Sequence, residues 1–148
     1  LSYINLSYTH FALIFTTTIK RIYTIQMDYD GKCLKSSWKN GILFIRIKSI
    51  DDNTFNLMQI IFEAAVEHDR FNIAIDAREL ESLGVRQIWS VGKFAAEIKF
   101  KIDRCVDRIS LVIPIKYHRT VGFIMKYAGP NCQYCITENT KDAKKFVS

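Results

Sequence analysis

Only two prolines and six glycines punctuate the chain, too few for long flexible linkers or a disordered tract. Its four cysteines, Cys33, Cys105, Cys132 and Cys135, are too few and too unevenly spread for a secreted disulfide scaffold. No run of about 18 apolar residues occurs, so no membrane-spanning helix is expected. The G-x-x-x-x-G-K, G-x-G-x-x-G, G-x-S-x-G and H-E-x-x-H patterns are all missing. Their absence removes the usual sequence signals for a phosphate loop, a dinucleotide fold, a serine nucleophile and a zinc-protease helix. His10, His68 and His118 stand at no metal-ligand spacing. No metal site, no cofactor and no complete catalytic constellation is therefore expected, and a non-enzymatic protein in a reducing, cytoplasmic setting fits best.

What is present describes one globular domain. A chain of 148 residues is one domain by length and buries enough surface to fold without staples. Hydrophobic residues make up 49% and charged residues 24%, ordinary globular values. The net charge of +6 is uneven. Residues 1–50 hold seven basic and two acidic side chains, residues 51–82 two and eight, and residues 83–126 nine and three. Such polarity gives one surface a preference for anions and another a preference against them.

Residues 1–26 read differently from the rest. They are rich in Ile, Phe, Tyr and Thr without a clean period, and the first methionine is Met27. The run Phe11 to Phe15 is short and lacks the basic segment of a signal peptide. Residues 1–26 are expected to be a non-domain leader or an edge segment, with one domain over residues 27–148.

From Met27 the pattern alternates. Cys33 to Lys39 and Ile42 to Lys48 flank Asn40-Gly41, a pair suited to a type I′ hairpin turn. Asp51 to Thr54 offer capping side chains for a helix expected to reach about His68, with Phe55, Met58, Phe62, Ala65 and Val66 at helical spacing. Phe71 to Asp76 predicts a short buried strand, and Ala77 to Leu83 a loop. A second helix follows, with Val85, Ile88, Trp89, Gly92, Ala95 and Ala96 expected on its inward stripe. Arg108 to Ile113 predicts a strand closed by Pro114. Tyr117 to Tyr127 predicts a third helix, ended by Gly129-Pro130. Asn131 to Ile136 completes the sheet, and a last helix capped by Thr137 or Thr140 turns Ala143, Phe146 and Val147 inward. The fold class is α/β: a mixed, mostly parallel sheet with an N-terminal β-hairpin and four helices.

Three stretches carry a resemblance to a known family: Asn72-Ile73-Ala74-Ile75-Asp76 running to Glu81-Ser82-Leu83-Gly84-Val85, Arg108 to Ile113, and Gln133 to Thr137 with Asp142 to Phe146. Over about residues 33–148 the chain resembles the STAS superfamily, the fold of bacterial anti-sigma-factor antagonists and of the cytosolic tails of sulphate transporters, and the more divergent STAS-like group. The resemblance implies a regulatory module that binds another protein. In the antagonists the loop after this strand carries an acid, two serines and a glycine, and a serine there is the phosphorylation target. Here one serine, Ser82, is kept, the next position is Leu83, and the loop is shorter.

Two readings of Ser82 follow: a phospho-acceptor beside a helix N-terminus, or, as the simpler and preferred one, the N-cap of the second helix. Asp76, Glu79, Glu81 and Gly84 mark the expected partner-contact loop. Arg86, Lys93, Trp89, His118 and Arg119 are candidates for holding a small anionic ligand or lipid in a crevice between the second and third helices, with Phe123 and Met125 along its apolar part. Basic residues from Arg86 to Arg108 interleave with Trp89, Phe94 and Phe100, a composition that also suits nucleic acid. Those aromatics fall where core residues are expected, so core packing ranks above nucleic-acid binding. Cys132 and Cys135, in a C-x-x-C without a second pair, read as packed thiols.

Overall fold

The structure is a computed structural model that describes residues 27–80 and 82–148. The leader or edge-segment reading of residues 1–26 and the contact role of Glu81 lie outside the described residues.

Among the described residues six strands form a single sheet in chain order. They are β1 (Tyr29–Asp30), β2 (Leu34–Lys39), β3 (Ile42–Ile47), β4 (Phe71–Asp76), β5 (Val106–Val112) and β6 (Gln133–Thr137). The β1–β2 and β2–β3 pairs are antiparallel, and the three pairs from β3 to β6 are parallel. The expected α/β fold with a mixed, mostly parallel sheet and an N-terminal hairpin is what is found. The two-residue β1 is an addition that periodicity had no length to reveal. At the hairpin turn Asn40 and Gly41 both take positive φ, 53° and 74°, as a type I′ turn requires.

Four helices pack on this sheet among the described residues: α1 (Asp52–Ala65), α2 (Val85–Ile102), α3 (His118–Tyr127) and α4 (Thr140–Val147). Each parallel crossover steps to the neighbouring strand, and crossovers of one hand stepping one way leave their helices on one face. Accordingly Phe62 of α1, Ile98 of α2 and Met125 of α3 share one core with Leu43, Ile73 and Ile109 of the sheet. The alternate residues face α4. Asn72 Nδ2 donates to the Val147 carbonyl at 2.8 Å, Arg108 donates to the Phe146 carbonyl at 3.2 Å, and Ala143 and Val147 are buried.

The helix starts show where local chemistry decides. Asp51 caps α1 in a reciprocal box: its carboxylate accepts from Thr54 N–H and its own N–H donates to Thr54 Oγ1, both at 3.1 Å. The helix stops at Ala65, short of the expected His68, whose ring stacks on Trp38 at 4.4 Å. The cap of α4 is Asn139, which accepts from Lys141 N–H at 2.7 Å; Thr137 and Thr140 do not serve. A 3₁₀ turn, Ile115–Tyr117, precedes α3, so that helix begins at His118. Past its end, a Cβ on Gly129 would come within 2.8 Å of the Met125 carbonyl, so only glycine fits there.

The largest departure from expectation is the face α2 turns inward. Its buried residues are Phe94, Ala95, Ile98 and Ile102. Val85 and Trp89, expected in the core, are 87% and 76% exposed, and Phe100 is 84% exposed. Two apolar stripes with helical spacing run along α2, offset by roughly a third of a turn at 3.6 residues per turn. The sheet takes the one containing Phe94, whose ring lies 5.2 Å from Phe55 and 6.1 Å from Phe62.

Candidate functional site

The second apolar stripe of α2 does not stand alone. Val85, Ile88, Trp89 and Gly92 face Thr120, Phe123, Ile124 and Ala128 of the α3 segment across an open groove of about 990 Å³. Gly92 leaves the α2 wall low at its middle, where an added Cβ would meet only Ile124, at 4.0 Å. The Phe123 ring packs on Tyr127 at 4.6 Å, and Lys126 Nζ sits 5.4 Å from the Tyr127 ring. Exposed aromatics in a contiguous concave surface are uncommon on proteins that bind nothing.

The electrostatics of the groove are one-sided. Among the described residues Lys93 and Arg119 are the charged ones that line it, and no acidic side chain does. Helix α2 carries four basic residues and one acid, and residues 115–127 carry three basic residues and no acid. Trp89, Lys93, Arg119 and Phe123 are thus brought together as the sequence suggested. Arg86 is exposed but not among the lining residues. The His118 ring lies 3.0 Å from the Ile113 carbonyl at the end of β5, away from the groove. Met125, expected along the apolar part, points instead into the core and is 9% exposed.

The loop from β4 leads into Val85, the first α2 residue of this groove. Asp76 Oδ1 accepts from the Arg78 backbone N–H at 3.1 Å, and its two carboxylate oxygens bind the Arg78 guanidinium at 3.0 and 2.8 Å. Burial pulls the Asp76 pKa upward, but the bonds and charge of Arg78, with the charge of Arg46, outweigh it and hold the carboxyl below its ordinary value. Glu79 is paired with Arg46. Both described acids of the expected contact loop are therefore neutralised within the chain. Gly84, not Ser82, caps α2: the Gly84 carbonyl takes the first helical bond from Ile88 N–H, and Gln87 Oε1 accepts from Gly84 N–H at 2.8 Å. The reason lies one residue upstream, where Leu83 N–H donates to Tyr117 Oη at 2.7 Å and fixes the chain before the helix starts. Ser82 is left exposed, two residues outside the cap.

Cys132 and Cys135 form no site with other ligands; among the described residues no group of three His, Cys, Asp or Glu side chains is placed to hold a metal ion. Burial, and then the charges of Asp103 and Asp107, raise the Cys132 thiol to about 11, so it stays protonated at neutral pH. No helix among the described residues is long and apolar enough to cross a membrane. Comparison of the chain with protein-family models, curated proteins and solved structures finds no match in any of the three.

A crevice between the second and third helices is expected from the sequence, but its full apolar lining is not. Its α2 wall was read as core because both stripes satisfy the same periodicity. The available signal was an excess: α2 has more apolar positions than a single inward face holds.

Proposed function

We propose that the chain is a non-enzymatic, STAS-like regulatory module, cytoplasmic in setting, that binds another protein through the α2–α3 groove. The observation that carries this reading is the exposed Trp89 at 76%, set in a concave apolar surface flanked by Lys93 and Arg119 with no acid lining it among the described residues. A groove between two helices accepts a ridge, and the apolar face of an amphipathic helix is such a ridge. Charge complementarity makes that helix acidic along its flanks. Tryptophan and arginine are the side chains that most often anchor such contacts. The resemblance to STAS proteins and the position of Ser82 two residues before the α2 cap are what support a regulatory role. A phosphate on Ser82 would add negative charge at the α2 end of a basic groove and weaken its hold on an acidic helix.

Selection of a displayed library of helical peptides on the full chain tests this. The expected binders are amphipathic and acidic, and lose about tenfold or more in affinity with Trp89→Ala or Arg119→Glu. Ser82→Asp weakens them, and Ser82→Ala leaves them unchanged. Selected peptides that are basic, or that bind the Trp89→Ala chain equally well, would overturn the reading. So would failure to select any peptide together with sedimentation on phosphatidylserine vesicles, which would assign the groove to an anionic lipid surface.

A further inference from the structure

A cavity of about 130 Å³ lies between the sheet and its three-helix layer. Ile73 and Ile109 of the sheet, Phe62 of α1, Ala95 of α2, and Val121 and Met125 of α3 are among its walls. Among the described residues no charged side chain lines it, and the side chains that bring oxygen to it are Thr54 and Tyr117. Both hydroxyls are engaged elsewhere. Thr54 Oγ1 donates to the Ser49 carbonyl at 2.8 Å, and Tyr117 Oη accepts from Leu83 N–H at 2.7 Å.

Protein interiors leave few voids larger than a water molecule, and this one is several times the roughly 30 Å³ a water occupies in the liquid. Ordered water needs about two to four polar partners, which these walls do not offer. We propose that the cavity is a binding site for a small, uncharged, apolar molecule with the bulk of one aromatic ring or a short branched hydrocarbon. A cavity of roughly 150 Å³ lined by Leu, Ile and Phe stays dry and takes benzene, which sets the scale. A carboxylate or an amine would enter without a partner, so fatty acids and charged amines are excluded by the cost of burying an unpaired charge.

The way in is at the carboxyl edge of the sheet, the side on which open α/β sheets take their ligands. Ile50, Leu83 and Tyr117 border the cavity in the segments that follow β3, β4 and β5, and each is only half-buried. The Leu83–Tyr117 hydrogen bond and the bond from Gln87 Nε2 to the Ile50 carbonyl, at 3.2 Å, hold this rim together.

Titration of the full chain with benzene, read by the methyl resonances of its isoleucines, tests the site. The expected result is saturable shifts of Ile73, Ile98 and Ile109, with Ile42, Ile60 and Ile88 unmoved and hexanoate without effect. Ala95→Leu fills part of the cavity and is expected to weaken benzene binding by about tenfold or more while the chain stays folded. Val121→Phe fills it from α3 and is the second variant should Ala95→Leu not fold. Benzene shifts that do not saturate, that centre on the groove residue Ile88, or that persist in the filled variants would overturn the proposal.

Discussion

Helix α2 has two apolar surfaces, and they meet different fates. The stripe through Phe94, Ala95, Ile98 and Ile102 is buried against the sheet and α1. The stripe through Val85, Ile88, Trp89 and Gly92 looks outward across a groove to α3. Both have the spacing of an amphipathic helix, so periodicity alone does not rank them. The difference teaches that burial is decided by where the crossover connection sets the helix on the sheet, and that the surplus stripe is the one free for a partner.

The contrast is sharpest in stability. Phe94→Ala removes a ring packed on Phe55 and Phe62 and is expected to cost about 3–5 kcal/mol, while Trp89→Ala changes stability by only about 0.5 kcal/mol. Denaturant midpoints of the two variants measure this directly, and equal losses would erase the distinction. A smaller effect comes from just past the end of α3. Gly129→Ala forces a Cβ against the Met125 backbone and is expected to cost about 1–3 kcal/mol, loosening α3 in hydrogen exchange before α1.

The helix starts give a third, weaker comparison. Asp51→Ala removes the carboxylate arm of the α1 box and is expected to cost about 1 kcal/mol. Ser82→Ala, outside the α2 cap, leaves the melting temperature unchanged; a loss equal to that of Asp51→Ala would restore Ser82 as a cap. The smallest expected effect is in acid. The Asp76 carboxyl is depressed in the folded chain, so its contribution is present above the ordinary carboxyl value near pH ~4 and is lost as pH falls through the lower folded value. Asp76→Asn is therefore expected to flatten the acid limb of the stability curve below about pH 4 and to leave its neutral part nearly level.

How much of this was readable in the residues depends on how local each feature is. Strand β4 was bounded correctly at Phe71 and Asp76, because a run of apolar residues ends there in charge on both sides. The Asn40-Gly41 turn followed from two residues that tolerate positive φ. The α1 cap was equally local, whereas the α2 cap was not: Gly84 takes that place because Tyr117, distant in sequence, holds Leu83. Asn139 displaced the two expected threonines through a single bond to Lys141 N–H. The cavity left no trace in the pattern, since a shortage of volume among isoleucines and phenylalanines looks the same as a full core. His118 and Met125 were named for the groove, and the turn of α3 carries both away from it.

Trp89 offers the most direct check on the claim that the outward stripe of α2 is surface. Trp38 is the other tryptophan, half-buried against His68 and Phe71. In a Trp38→Phe chain the remaining emission is expected to be red-shifted and readily quenched by iodide, as for an indole in water beside positive charge. Blue-shifted emission protected from iodide in the isolated, folded chain would contradict the account, because Trp89 would then belong to the interior.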